Sequence, residues 1–354
     1  MIAPNPIIGT GLHAIGGISA AACYMPNAKT RQWSWNTFWL VQALFAWLIA
    51  PLIIGWLTVP DFFQILVDAP SKPFWISFLL GAAYGFGGMS FGKAINNIGY
   101  SLTYTMSIGI SAVLGTIIPM MIFGNIGDFF TKPGGSIVLF GMILSLMGVA
   151  ICGLAGFNKE KFLKTQETSG KKFNMKFGLF LTIIAGVLSG VFNVALEYGQ
   201  PIADMAAERG AGHFEGNAKM IVATSGCFVV NLIWFLIAGI RKGTIKEFLP
   251  SKDLSKKTIS RNWLWSMLAG CMWCCQFFFY GLGHVKMGSF QFASWVLHMS
   301  MLIFFSYVVG VVMKEWKNVN KKTYIILFAG LLVLIISFCV TSYGSYIGEK
   351  LLTN

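Results

Sequence analysis

Several polar and aromatic side chains of this sequence lie inside long apolar runs and stand at helical spacing. One run carries four of them at i, i+3, i+4 and i+7: Gln291, Ser294, Trp295 and His298. The run before it carries four at i, i+3, i+7 and i+11: Trp273, Gln276, Tyr280 and His284. Each spacing places its side chains on one face of an α-helix. The sequence therefore predicts two neighbouring helices that present amide, phenol, imidazole and indole groups.

This combination of groups suits a neutral polyhydroxylated solute such as a sugar. Amides and imidazoles offer donors and acceptors for hydroxyl groups, and a flat ring packs on the apolar face of the solute. We expect Gln276, Gln291 and His298 to hydrogen-bond the hydroxyls and Trp295 or Tyr280 to stack on the ring. The predicted substrate-binding residues are Gln276, Tyr280, Gln291, Ser294, Trp295, His298 and Asn193.

Proton exchange has four candidate residues: His13, His284, His298 and Glu197. An imidazole is a costly means of joining two helices, and it titrates near neutral pH. Glu197 lies near the end of its run, where it is either a proton carrier or a solvated interfacial carboxylate. For the serine and asparagine side chains the alternative is helix packing through interhelical hydrogen bonds.

The elements that position these residues are predicted to be membrane helices. Charged residues make up 11% of the 354 residues, against roughly 25% in soluble domains. Hydrophobic residues make up 56%, and the mean hydropathy is +0.69. Too few charges remain to cover a soluble surface, so we predict an all-α polytopic membrane protein. The net charge of +13 does not indicate a nucleic-acid partner, because the basic residues lie in short clusters between apolar runs.

We predict ten transmembrane helices, since a bilayer core needs about 20 apolar residues per helix and none of the runs alternates with period two. Within a few residues at each end, they are Ile7–Pro26, Asn36–Leu57, Phe74–Asn97, Ser101–Gly124, Ser136–Phe157, Lys176–Tyr198, Asn217–Ile240, Trp263–Val285, Ser289–Met313 and Thr323–Ser345.

The basic residues predict the orientation of these helices. Of the 26 Lys and Arg residues, 19 fall in alternate connections on one side. The positive-inside rule makes that side cytoplasmic and places both termini in the periplasm. The first ten residues carry no Lys or Arg, so we expect an uncleaved first helix in place of a signal peptide.

The sequence divides into two predicted halves. A basic segment, 158–175, separates a first half, 1–157, from a second half, 176–354, with five helices each. Because five is odd, the halves would have opposite orientations. If they are repeats, they are inverted repeats, an arrangement that places a substrate site near the bilayer midplane.

Several other chemistries find no support in the sequence. The seven cysteines lie in or beside apolar runs, which argues against a disulfide framework. Cys271 and Cys274 form a CxxC within a run without a second ligand pair, so we predict neither a metal site nor a cofactor. P-loop and HExxH motifs are missing from the sequence, so transport would use a gradient. A membrane enzyme would need clustered carboxylates, and the 13 acids are scattered singly.

A longer set of residues carries a family resemblance. It comprises Gln276-Phe-Phe-Phe-Tyr280 with Gly283-His284, Ser294-Trp295-Val-Leu-His298-Met-Ser300, Gly310 with Lys314-Glu315-Trp316, and near the start His13, Ser19-Ala20-Ala21, Tyr24, Pro26 and Trp33-Ser34-Trp35. In these residues the chain resembles the L-rhamnose–proton symporter family of the drug/metabolite transporter superfamily. The resemblance implies ten helices in two inverted five-helix halves in a bacterial inner membrane. It also implies inward co-transport of L-rhamnose, with L-lyxose and L-mannose as related sugars, and a proton.

One position departs from that family. Its members carry an acidic residue where this chain has Gln291, and an amide cannot exchange a proton. Coupling would then fall to a histidine, to Glu197 or to another ion. A drug or metabolite exporter and an uncoupled sugar facilitator are the alternative functions on the same scaffold.

Overall fold

The computed structural model describes residues 3–98, 100–166, 174–251, 254–317 and 319–353, and within these ranges it contains helices and no strand. All ten predicted runs coincide with helical segments. These are α1 (Pro6–Ala22), α2 (Trp35–Thr58), α3 (Ser71–Ile98), α4 (Tyr100–Phe123), α5 (Gly135–Gln166), α6 (Met175–Tyr198), α7 (Gly216–Lys242), α8 (Lys256–Lys286), α9 (Ser294–Val312) and α10 (Lys321–Thr353). Shorter α-helices span Phe62–Asp68, Asp128–Thr131 and Gln200–Glu208.

Nine helical segments within the described ranges are long and apolar enough to cross a membrane. The exception among the ten is α8. Its centre, between Arg261 and His284, carries no Asp, Glu, Lys or Arg, but Trp, Ser, Gln and Tyr residues lower its mean hydropathy. The polytopic helical class is therefore confirmed, and a tenth span stays a prediction.

The chain packs as two compact units that interleave in sequence. The first unit comprises Met1–Ile18, Gly87–Val194 and Leu282–Asn354, and the second comprises Ser19–Phe86 and Ala195–Gly281. Each unit contains residues from both predicted halves, because helices that are distant in sequence pack against each other. The halves 1–157 and 176–354 and their inverted relation stay predictions. Of the predicted basic segment 158–175, the first part extends α5 to Gln166, and residues 167–173 lie outside the described ranges.

Hydroxyl groups join the helices of the first unit. The hydroxyl of Tyr307 in α9 donates to the carbonyl oxygen of Cys152 in α5 at 2.7 Å and lies 2.6 Å from the hydroxyl of Thr105 in α4. Ser145 of α5 donates to Ser300 of α9 at 2.5 Å. These interhelical hydrogen bonds satisfy polar groups where lipid offers no partner.

Glycines allow the helices of the second unit to approach closely. A Cβ atom on Gly270 of α8 would lie 2.5 Å from the carbonyl oxygen of Gln42 and 2.7 Å from Cβ of Phe45 in α2. At the contact between α3 and α7, a Cβ on Gly226 would lie 2.8 Å from the backbone nitrogen of Ala82. Small residues at such positions let two backbones meet.

A π-helical turn, Phe45–Ile49, interrupts α2. Pro51 follows it and lacks the N–H that a regular helix would use, and its ring crowds the preceding turn. The chain adapts by widening, and the N–H of Ala50 donates to the carbonyl oxygen of Phe45, five residues earlier. Such single π turns occur mostly as insertions in α-helices, frequently at functional sites.

Outside the predicted membrane segments of the second unit, Arg209 donates to Asp68 at 2.9 Å. This hydrogen bond, followed by one from Gln64, holds the pKa of the Asp68 carboxyl below its usual value.

The glycine contacts lead to a matched pair of variants. We expect Gly270→Ala to lower the melting temperature, because overpacking a tight contact costs about 1–3 kcal/mol. Gly11→Ala is the control, since a Cβ at this position in α1 would meet nothing within 4 Å, and alanine favours a helix by about 0.5–1 kcal/mol over glycine. Thermal unfolding in detergent measures both. Equal melting temperatures would contradict the close approach of α8 and α2.

Candidate functional site

Three buried histidines lie together in the first unit. The rings of His13 in α1 and His298 in α9 have centroids 5.6 Å apart and an interplanar angle of 65°. His284, near the end of α8, and His298 both act electrostatically on His13. A Cβ on Gly283 would lie 2.8 Å from Cε1 of His13, which shows how closely this turn approaches the ring. We call His13, His284 and His298 the imidazole cluster.

The position of His13 follows from the glycines on either side of it in α1. A Cβ on Gly9, one turn before, would lie 3.0 Å from the carbonyl oxygen of Gly283. A Cβ on Gly17, one turn after, would lie 3.1 Å from the backbone carbonyl carbon of Met301 in α9. Both glycines therefore bring α1 against its neighbours on the face that carries His13.

Trp295 and Asn193 hold α4 within the first unit. Nε1 of Trp295 donates to the carbonyl oxygen of Ser111 at 2.9 Å, and Nδ2 of Asn193 donates to that of Gly115 at 2.8 Å. A Cβ on Gly115 would overlap the indole of Trp295, whose side chain is 1% exposed. In this structure both side chains make the helix contacts of the packing alternative, and their role in sugar binding stays a prediction.

Gln291 precedes the α-helix predicted for it. It belongs to a 3₁₀ segment, Gly288–Ala293, and α9 begins only at Ser294. A tight turn lies just before Gln291, where Gly288 has a φ of +55° and Phe290 has non-helical angles of φ −110° and ψ 23°. The carboxylate of Glu349 accepts from the backbone N–H of Ser289 in this turn at 3.0 Å. The α-helical spacing therefore applies to Ser294, Trp295 and His298, and the face on which Gln291 lies stays a prediction.

The predicted site residues divide between the two units. The first unit contains His13, Asn193, His284, Gln291, Ser294, Trp295 and His298, and the second contains Glu197, Gln276 and Tyr280. Gln276 and Tyr280 are buried in α8, with 5% and 4% of their surfaces exposed. Glu197, in the last turn of α6, acts electrostatically on Tyr280.

Lys219 was not predicted as a functional residue. It lies in α7 with 7% of its surface exposed, and its ammonium group donates to the side-chain oxygen of Gln200. The carboxylates that act on it electrostatically are Glu197, Glu215 and Asp204. The signal was a single lysine inside an apolar run, which is a functional candidate by default. Lys219 lies near the start of this run, where a lysine is also expected as a basic residue of the preceding connection.

The described part of the chain contains no set of metal ligands. Within those ranges, no group of three or more His, Cys, Asp or Glu residues is placed so that it could hold a metal ion. All seven cysteines are free thiols.

The apolar helices and the ionisable groups buried among them are those of a multi-pass membrane transporter. The chain belongs to the L-rhamnose-proton symport protein family, whose profile matches residues 3–346. L-rhamnose-proton symporters of Yersinia pestis (strain Pestoides F) and Yersinia pseudotuberculosis (serotype O:1b, strain IP 31758) are each 33% identical to it over 342 residues, covering 96% of this chain and 98% of theirs. That of Yersinia pestis bv. Antiqua (strain Antiqua) is 32% identical over the same length. The predicted resemblance to the L-rhamnose–proton symporter family is confirmed, and the superfamily stays a prediction.

The contact between Trp295 and Ser111 can be tested by Trp295→Phe, which removes the N–H and keeps an aromatic ring. We expect a lower melting temperature in detergent, because a buried carbonyl loses a hydrogen bond worth about 1 kcal/mol. Trp56→Phe makes the same chemical change at a residue that is 62% exposed and should leave the melting temperature unchanged. If the two variants melt alike, the hydrogen bond does not stabilise the first unit.

Proposed function

We propose that this protein imports L-rhamnose across a bacterial inner membrane together with a proton, by alternating access. The observation that carries the proposal is family membership along nearly the whole chain, with relatives named L-rhamnose-proton symporter at 33% identity over 96% of it. L-Lyxose and L-mannose are the related sugars that we propose as further substrates. We also assign the scaffold to the drug/metabolite transporter superfamily.

The proposed topology has ten membrane helices in two inverted halves, with both termini in the periplasm. The excess of basic residues on one side supports this orientation. For the tenth helix we propose α8, whose 31 residues correspond to about 46 Å of helix, more than the roughly 30 Å of a bilayer core. Its lower hydropathy fits a helix that faces a polar solute on one side.

The imidazole cluster is the proposed proton site. His13 and His298 are both fully buried, and two positive charges with ring centroids 5.6 Å apart would repel each other strongly in a poorly solvated interior. The pair is thus suited to hold one proton at a time. Because Gln291 cannot exchange a proton, these imidazoles take over the role of the family's acidic residue. Glu197 is the second candidate.

The proposed sugar contacts are those predicted from the sequence. Gln276, Gln291 and His298 hydrogen-bond hydroxyl groups, and Tyr280 or Trp295 stacks on the apolar face. Gln276, Tyr280 and His298 are buried in apolar helices, and this supports the assignment because polar residues within membrane helices are functional candidates by default.

The second candidate function is an uncoupled sugar facilitator, and the replacement of the family's acidic residue by Gln291 favours it. An exporter of amphipathic compounds would require an apolar cavity bearing an acid, which the amide-rich residues of α8 and the segment around α9 do not favour.

Uptake into proteoliposomes tests the proposed function. We expect labelled L-rhamnose to accumulate above the external concentration only with an inward proton gradient, and unlabelled L-rhamnose to compete. Equilibration without accumulation would contradict proton coupling and favour the facilitator. Failure of the sugar to enter, in liposomes where a known sugar transporter works, would contradict the substrate.

Histidine variants test the proposed residues. We expect His298→Ala or Gln276→Ala to reduce uptake below detection while the protein still inserts, since each removes a buried hydrogen-bonding group from the proposed site. The control is His213→Ala, because His213 belongs to the second unit and not to the imidazole cluster. Normal uptake by both His298→Ala and Gln276→Ala would contradict the assignment.

A further inference from the structure

Several buried polar atoms of the second unit have no hydrogen-bond partner within the described part of the chain. Three of them are Nε1 of Trp47, Oε1 of Gln42 and Oγ of Ser266. The exposed fractions of the three residues are 3%, 3% and 0%. A buried polar atom without a partner costs about 1–3 kcal/mol, so three of them on two packed helices call for an explanation.

The packing of α2 against α8 places these residues along one seam. A Cβ atom on Gly270 would lie 2.5 Å from the carbonyl oxygen of Gln42 and 3.0 Å from the backbone nitrogen of Ala46, so α8 at Gly270 lies beside α2 at these two residues. Ser266 lies one turn before Gly270 in α8. Trp273 lies about one turn after Gly270, and its ring contacts that of Trp47 with centroids 5.3 Å apart at 82°. We call Gln42, Trp47, Ser266 and Trp273 the α2–α8 seam.

The π turn brings Gln42 and Trp47 closer to one side of α2. Residues five apart differ by about 140° around a regular α-helix, and a wider turn between them reduces this angle. Trp47 lies inside the π turn, and Gln42 lies in the regular helix just before it.

A second tryptophan in α2 provides a contrast. Nε1 of Trp39 donates to Oδ1 of Asn231 at 2.8 Å, so its polar atom is used in packing. The two indole rings contact each other with centroids 5.9 Å apart. Hence burial in this aromatic group does not by itself deprive an indole N–H of an acceptor.

The chemistry of the seam matches hydroxyl groups. Trp47 offers only a donor, Oε1 of Gln42 only accepts, and Ser266 can do both. A cation would leave the donor of Trp47 without a partner, and an anion would leave the acceptor of Gln42 without one. A sugar hydroxyl donates and accepts, so it satisfies both. Trp273, stacked on Tyr84 at 23° with centroids 6.4 Å apart, adds a flat apolar surface.

We propose that the α2–α8 seam contacts the transported sugar, with Trp47 donating to a sugar oxygen, Gln42 accepting from a hydroxyl and Trp273 covering an apolar part of the sugar. This inference rests on the proposed function, since it presupposes a neutral sugar as substrate. It adds Gln42, Trp47 and Ser266 to the residues that determine specificity.

Two conservative variants test the inference. Trp47→Phe removes the N–H, and Gln42→Met removes the amide. Binding of L-rhamnose to purified protein in detergent is measured by isothermal titration calorimetry, and thermal unfolding is measured without sugar. We expect each variant to raise Kd about tenfold, the effect of losing one hydrogen bond to the ligand. Without sugar, we expect Gln42→Met to melt at or above the wild-type temperature, because a polar atom that lacks a partner is removed and the volume is kept. Trp47→Phe also removes buried volume, so we expect its melting temperature to fall, but by less than that of Trp39→Phe, which loses a hydrogen bond as well.

Two tryptophans serve as matched controls. Trp39→Phe removes the hydrogen bond to Asn231, so we expect a lower melting temperature and a Kd within twofold of wild type. Trp56→Phe changes an exposed residue and should alter neither quantity.

The outcomes separate this inference from the proposed function. A wild-type Kd for Trp47→Phe and Gln42→Met would overturn the seam, and so would melting temperatures that fall as far as that of Trp39→Phe, since the polar atoms would then have a structural partner such as a buried water. If wild-type protein binds another neutral sugar but not L-rhamnose, and the variants weaken that binding, the seam stands and the proposed substrate fails. If wild-type protein binds none of a panel of neutral sugars, both are overturned.

Discussion

The structure depends on one constraint, namely that a polar group inside a membrane helix must find its partner within the protein. The first unit meets it with side chains that reach across helices. Tyr307 donates to the backbone of Cys152, Trp295 to that of Ser111, and Asn193 to that of Gly115. Glycines such as Gly115 make these contacts short. In the second unit, the α2–α8 seam contains buried polar atoms of Gln42, Trp47 and Ser266 that have no partner within the described part of the chain.

Apolar runs predicted the helices well because the thickness of the bilayer core determines both the length of an apolar run and the minimum length of the helix that it forms. The predicted spans cover only the apolar part of each helix, and two helices continue well beyond it. α5 reaches Gln166 and α10 reaches Thr353, well past the predicted ends at Phe157 and Ser345. Charged residues end an apolar run, but they do not end a helix.

The candidate site was only partly predictable, since its residues depend on contacts between distant parts of the chain. The sequence indicated each imidazole separately, and packing through Gly9 and Gly17 brings them together. The turn before Gln291 includes a hydrogen bond from the backbone of Ser289 to Glu349, about sixty residues later. The partner of Trp295 is a backbone carbonyl. Because nearly every residue offers such a carbonyl, the sequence could not indicate which one accepts this hydrogen bond.

The central claim is that sugar and proton move together, and the most direct test records the proton. Proteoliposomes containing a pH-sensitive dye receive L-rhamnose outside, at equal internal and external pH. The account predicts acidification of the interior on sugar addition, abolished when His13 and His298 are both replaced by Gln and unaffected by His213→Gln. Sugar entry without any change of internal pH would contradict it.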